Sequence, residues 1–210
     1  IIFLFSPFFL LGQIQLGQDI DGEGSSDESG YSVSMSSDGS IVAIGAPEND
    51  DNGSGSGHVR VYTYNGGSWV QLGQDIDGEE VNDRSGCSVS LSSDGYTLAI
   101  GAWSNDVGAT FNNPVGANAG HVRVYTYNGS SWIQLGQDID GEATNDQSGH
   151  SISLSSDGNT LAIGAECNDA SGSASGAGGY NYGHVRVYTY NGGSWNQLGQ
   201  DIDGEGSNDG

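Results

Sequence analysis

The chain has 210 residues, 37 of them glycine, and a formal net charge of −23 set by 27 acidic side chains against four arginines. That charge repels nucleic acid and argues against it as a partner; divalent cations, basic partners or a salty environment suit it better. So much Gly, Ser, Asn and Asp would suggest disorder, but Val, Ile, Leu, Tyr and Trp recur at fixed places, so the chain is structured and turn-rich.

Residues 1–11 are apolar (IIFLFSPFFLL). They are too few to span a bilayer and read as the core of a truncated secretory signal, which implies export; the alternative is a stray hydrophobic edge, since the initiating Met, basic flank and cleavage site are missing. From residue 12 to 210 one unit repeats. Trp69, Trp132 and Trp195 are 63 residues apart, and the first copy is seven residues shorter. A period of this length marks a repeat architecture, each copy one supersecondary unit. Cys87 and Cys167 occupy non-equivalent positions and read as free thiols.

Each copy predicts four strands, A to D. Strand A is Tyr31–Ser36, Cys87–Ser92 and His150–Ser155, apolar residues alternating with Ser. Small Ser on one face suits a crowded place near an axis. A Ser-Asp-Gly turn at Asp38-Gly39, Asp94-Gly95 and Asp157-Gly158 leads into strand B: Ile41–Ala46, Thr97–Ala102 and Thr160–Ala165, apolar on both faces and so buried. Strand C is HVRVYTY at His58–Tyr64, His121–Tyr127 and His184–Tyr190, closed by Asn-Gly turns. Strand D runs Trp69–Ile76, Trp132–Ile139 and Trp195–Ile202, with Val70, Leu72 and Ile76 on one face. A further D-type strand is expected at Ile14–Ile20, and no helix. Four-stranded meanders in tandem predict an all-β fold, a partial β-propeller of antiparallel blades at about 29–76, 85–139 and 148–202 plus the extra N-terminal strand. The rival is a stacked β-solenoid.

The run Ser29-Gly30-x-Ser32-Val33-Ser34, then Ile44-Gly45-Ala46-Pro47, then Gly57-x-Val59-x-Val61-Tyr62 resembles the FG-GAP repeat of integrin α-chain propellers, and more closely the FG-GAP-like repeats of secreted bacterial and marine proteins. It recurs in all three copies, the Pro only in the first. The resemblance implies a propeller of about seven blades and a binding or adhesion role. Propellers close with about four to eight blades. Three therefore imply either a fragment of a longer protein or a chain that closes its ring by self-association.

In an A–B–C–D meander the D–A and B–C loops leave one face and the A–B and C–D turns the other. This puts 24 of the 27 acids on one rim, with only Asp38, Asp94 and Asp157 opposite. The B–C loops also vary in length and hold Trp103, Phe111, Tyr180 and Tyr182, a mix suited to polar or sugar-like ligands; a solvated, drifting loop is the alternative. Tyr31, Cys87 and His150 occupy one equivalent position at the start of strand A and form a second candidate contact, beside the channel. The DxDGE runs gather Asp19, Asp21 and Glu23; Asp75, Asp77 and Glu79; Asp138, Asp140 and Glu142. Ca2+ is the cation to weigh there, although a solvated acidic surface is simpler. The calcium loop that the resemblance implies belongs in the A–B turn, where this chain has only Ser-Ser-Asp-Gly, so it is not carried over. The periodic His and Arg of strand C, one pair per copy, read as structural partners of blade-edge acids. With no catalytic constellation legible, the expectation is a non-enzymatic, extracellular or surface-displayed module that binds a protein or glycan through the acidic face, its repeats not inserted in membrane. A propeller hydrolase or lyase with its catalytic residues in other blades, and a structural spacer, are the alternatives.

Overall fold

The computed structural model of the chain describes residues 14–106, 116–169 and 182–205. The apolar leader, Phe111 and Tyr180 lie outside these. The described residues form three antiparallel sheets and no helix. The first sheet holds β1 (Ser32–Met35), β2 (Ile41–Ala46), β3 (His58–Tyr64), β4 (Trp69–Gln71) and β5 (Ile76–Asp77). The second holds β6 (Ser88–Leu91), β7 (Thr97–Ala102), β8 (His121–Tyr127), β9 (Trp132–Gln134) and β10 (Ile139–Asp140). The third holds β11 (Ser151–Leu154), β12 (Thr160–Ala165), β13 (His184–Asn191), β14 (Ser194–Gln197) and β15 (Ile202–Asp203). Each is a meander, a blade of a partial β-propeller, with two short strands sharing the outer edge of its third strand.

Strand D is thus split where a continuous strand was expected. Leu72 N–H still donates to the Val61 carbonyl at 2.7 Å. Gly73, at φ +82°, then turns the backbone out of the ladder, and Ile76 returns opposite Val59. Unbroken pairing from Val70, opposite Thr63, would put Gln74 there. The excursion therefore adds two residues, and an even number preserves the alternation, so Val70, Leu72 and Ile76 keep one face. Val70 is nonetheless exposed, being next to the turn.

The excursion frees Leu72 and Gln74 to hold the next blade. The Trp132 indole N–H donates to the Leu72 carbonyl at 2.7 Å. The Gln74 side chain brackets the Trp132 backbone, donating to its carbonyl at 2.9 Å and accepting from its N–H at 3.1 Å. Leu135 and Gln137 repeat these bonds on Trp195. Residues 14–20 correct one expectation: they form no strand, and no described strand pairs with them. They keep the second task alone. The Leu16 carbonyl accepts from the Trp69 indole at 2.9 Å, and Ile20 packs against Val42, Ile44 and Tyr62.

The core lies between sheets. Ala43, Val59, Val61 and Ile76 of the first sheet pack against Leu91, Leu98, Ile100, Tyr125 and Trp132 of the second. Ala99, Val122, Val124 and Ile139 of the second meet Leu154, Leu161, Ile163, Tyr188 and Trp195 of the third. Burying each Leu, Ile or Val stabilises by roughly 1.5–3 kcal/mol. The Ser face of strand A supplies polar stitches: Leu91 N–H donates to Ser34 Oγ and Leu154 N–H to Ser90 Oγ, both at 2.9 Å. Strand B is buried throughout in β2, whereas β12 alternates, because the third sheet has one open face.

The two rims separate as the meander requires. The Ser-Asp-Gly turns line one end and bond in series, Ser37 N–H to the Ser93 carbonyl and Ser93 N–H to that of Ser156, both at 2.9 Å. Asp38 accepts from Ser36 Oγ and from the Ser40 amide and hydroxyl, bonds that hold its carboxyl down at about 2. The DIDGE segments lie at the other end, where β5 pairs with the start of β3.

Candidate functional site

The acidic rim is built by docking each D–A segment onto a B–C loop. Arg84 N–H donates to the Gly55 carbonyl at 3.1 Å and Ser85 N–H to that of Ser56 at 3.0 Å. Gln147 and Ser148 repeat this on Asn118 and Ala119. One carboxylate per copy ties the D–A segment also to the B–C loop of the blade that follows it. Asp27 accepts from Gly24 N–H at 2.9 Å and from the Asn49 amide at 3.1 Å. Asp146 accepts from Ala143 N–H and the Asn168 amide, both at 2.9 Å. Asp83 accepts from Glu80 N–H at 2.9 Å and also from Asn105. These three Asp are buried, and burial pushes the Asp83 and Asp146 carboxyls up against the opposing pull of their hydrogen bonds. They are loop staples and do not belong to the solvated acidic surface. The signal in the sequence was Asn-Asp, which recurs in every B–C loop (Asn49-Asp50, Asn105-Asp106, Asn168-Asp169) while the rest varies.

The strand-C arginines pair with blade-edge acids, as their periodicity predicts. Arg60 donates to the Asp21 carbonyl at 2.8 Å and reaches Glu23 at 3.2 Å. Arg123 does the same with Asp77 and Glu79, at 3.0 and 3.1 Å, and Arg186 with Asp140 and Glu142, at 2.8 and 3.4 Å. Each guanidinium also lies over a tyrosine ring of its own strand, Tyr62, Tyr125 or Tyr188. The acids come from the preceding DIDGE run, so the Arg123 and Arg186 pairs join successive blades and the Arg60 pair joins the N-terminal segment to the first. The arginines are buried while their glutamates are exposed, and the hydrogen bonds to backbone carbonyls give these pairs a structural part.

The three carboxylates of one DxDGE run do not converge. Asp19 and Asp138 are held by Gln15 and Gln134 at 2.7 and 2.6 Å, and Asp75 by Gln71. Asp21, Asp77 and Asp140 give their backbone carbonyls to the arginines. Glu23 instead meets Asp51, His58 and Asp75, with one ligand atom from each lying within 4.8 Å of the others. Glu79 meets His121 and Asp138, and Glu142 meets His184 and Asp201, in the same way. Burial and the neighbouring Arg123 bring His121 down to about 4, so its imidazole is neutral at physiological pH. In the A–B turn the Asp38 carboxylate is engaged by its own turn.

Tyr31, Cys87 and His150 are not joined by any hydrogen bond, ion pair or ring contact. Tyr31 is exposed. Cys87 is buried, its thiol pushed up to about 11 by burial, and Cys167 is likewise free. His150 belongs instead to a row that crosses the rim. Glu48 pairs with Arg84 at 3.2 Å, and Arg84 lies over Trp103 at 5.0 Å. Trp103 faces the His150 ring at 6.4 Å, and His150 reaches Glu166 at 3.5 Å. Arg84 escaped notice in the sequence, although it is the one arginine outside HVR and interrupts an acidic run. Tyr182 lines a cleft of about 290 Å³ on the open face of the third sheet, with Gly164, His184, Val185 and Ile202.

Residues 20–62 match the model of the FG-GAP repeat, and the same elements recur in the later copies. Among solved structures the chain is similar to Saccharomyces cerevisiae Sqt1, at 17% identity over 84% of this chain and 36% of that one, with a TM-score of 0.48. It is also similar to Kuenenia stuttgartiensis hydrazine synthase, at 15% identity over 89% of this chain and 41% of that one, with a TM-score of 0.43. The chain thus spans less than half the length of either. No curated protein matches it significantly. No helix of the described residues is long and apolar enough to cross a membrane.

Proposed function

We propose that this chain, an FG-GAP-like repeat protein built of β-propeller blades, is a non-enzymatic, extracellular or surface-displayed binding module that engages a protein or glycan through its acidic rim. The observation that carries this reading is the Glu48–Arg84–Trp103–His150–Glu166 row. Among the described residues it does not repeat from copy to copy, and it crosses three blades. The staples and strand-C ion pairs recur in every copy because they maintain the scaffold; a non-repeating polar and aromatic row on a rigid scaffold is what recognition uses. The test is a glycan array and a set of small basic proteins, lysozyme among them. They are probed with the native chain and with a variant carrying Trp103→Ala and Glu48→Gln. The expected result is salt-sensitive binding to at least one probe, weakened at least about tenfold in the variant. Silence across the panel, or equal binding by the variant, overturns the reading.

A second reading concerns the open face of the third sheet, which is proposed to take the first sheet of a second copy. Gly164 and Val185 on that face are the equivalents of residues that blades one and two bury against their successors, and Ser151 and Ser153 of residues that they half-bury. On the first sheet Val33 and Met35 are exposed where Val89 and Leu91 pack in the second. Light scattering across a concentration series is expected to show reversible association that Val185→Arg abolishes. A monomer at every concentration refutes it.

A further inference from the structure

We propose that His58, Glu23, Asp51 and Asp75 form a binding site for a divalent transition cation of the zinc class. His58 is the first residue of β3, its side chain is 1% exposed, and its Nδ1 has no hydrogen-bond partner. A buried imidazole nitrogen without a partner costs free energy that the fold must otherwise offset. This one is aimed at carboxylates: Asp51 Oδ2 lies 3.8 Å away and Glu23 Oε2 4.0 Å away. Both distances are too long for a hydrogen bond and suit two ligands of one ion. Asp75 completes the set, with one ligand atom from each residue lying within 4.8 Å of the others.

The three carboxylates that face His58 come from three separate segments. Glu23 lies in the D–A loop before the first blade, Asp51 in the B–C loop, and Asp75 in the strand-D excursion. The surroundings orient them. Arg60 holds Glu23 by Oε1 at 3.2 Å, leaving Oε2 to face His58, and the Gln71 amide holds Asp75 Oδ1. Such outer partners are how proteins aim metal ligands. Glu23 and Asp51 are themselves exposed, so small side-chain rotations bring their oxygens within about 2.0–2.2 Å of an ion bonded to Nδ1. Donor chemistry selects the ion. Calcium takes six to eight oxygens and has little use for nitrogen, whereas one imidazole with carboxylates and four donors in all suits zinc. The second and third blades repeat His, Glu and Asp at His121 and His184. Asp51 has no acidic equivalent there, since Val107 and Ala170 take its place. The first blade is therefore the strongest of three related sites.

The experiment is calorimetric titration and thermal melting of the untagged chain with Zn2+ alone and Ca2+ alone. Native protein is expected to bind Zn2+ and melt higher, with Ca2+ at least about tenfold weaker. Two variants report on the site. His58→Gln removes the buried nitrogen, and Asp51→Asn, at an exposed position, leaves folding intact and removes the ligand unique to this copy. Asp51→Asn is expected to weaken the tightest Zn2+ site at least about tenfold. No heat or melting shift with millimolar Zn2+, stronger binding of Ca2+, or native affinity in Asp51→Asn each overturns the proposal.

Discussion

Trp132→Ala is expected to destabilise the chain by about 3–5 kcal/mol, the range for emptying a fully packed aromatic site. Trp132 sits at the start of β9 with 3% of its surface exposed. It packs in the interface between the first and second sheets and tilts against Tyr127 at 5.4 Å. Its indole bond to Leu72 and its backbone bracket from Gln74 cross between blades, so the substitution weakens a joint and not only a core. Trp132→Phe keeps most of the apolar contact and loses the indole bond to Leu72, so a smaller loss of about 1–3 kcal/mol is expected. Trp69 is the internal control. It makes the equivalent indole bond, at 2.9 Å, to a segment that belongs to no sheet, and it is half-buried. Trp69→Ala is therefore expected to cost less than Trp132→Ala in urea unfolding. Equal losses at the two positions would mean that the joint between blades contributes little.

The contrast also shows which parts of the molecule were legible in the sequence. Strand B has the bounds expected at Ile41–Ala46, Thr97–Ala102 and Thr160–Ala165, because a short apolar run between an Asp-Gly turn and a polar loop admits few alternatives. Rim polarity followed from strand direction alone. The joints did not emerge, because their partners lie far apart along the chain: Gln74 and Trp132 are separated by 58 residues, and Asp27 and Asn49 by 22. Alternation reports which face a residue occupies, not what that face meets. Leu-Gly-Gln was visible as invariant text in every copy, and it read as an ordinary strand because the two added residues leave the alternation unchanged. The carboxylates mislead for a related reason. DxDGE puts three acids close together in sequence, yet alternation and the arginines distribute them to different partners, and the set that assembles around His58 is drawn from three segments.

Gly101→Ala is the second large expected effect, about 3 kcal/mol of lost stability, at the high end for overpacking. A Cβ on Gly101 would lie 2.1 Å from the Gly149 carbonyl oxygen and 2.3 Å from Ser88 Oγ. Neither can easily yield. Gly149 is backbone of the segment leading into the next blade, and Ser88 Oγ already donates to that carbonyl at 2.7 Å. Accommodating one methyl group therefore means pushing two sheets apart along their shared face. Gly45 meets the Gly86 carbonyl at 2.0 Å in the same way. Gly164 is the equivalent residue of the third sheet, where the nearest atom to a new Cβ is Ser151 Oγ at 2.3 Å, and the next is 3.6 Å away. Among the described residues Ser151 makes no bond to a further sheet, so its hydroxyl rotates aside, and Gly164→Ala is expected to change stability by no more than about 0.5 kcal/mol. Chemical unfolding of the two variants decides the matter. A large loss at Gly101 with near-neutrality at Gly164 makes the Ile-Gly-Ala run a requirement of blade-on-blade packing. Equal losses would place the requirement within each sheet, and the close approach of neighbouring blades would no longer explain why every copy keeps that glycine.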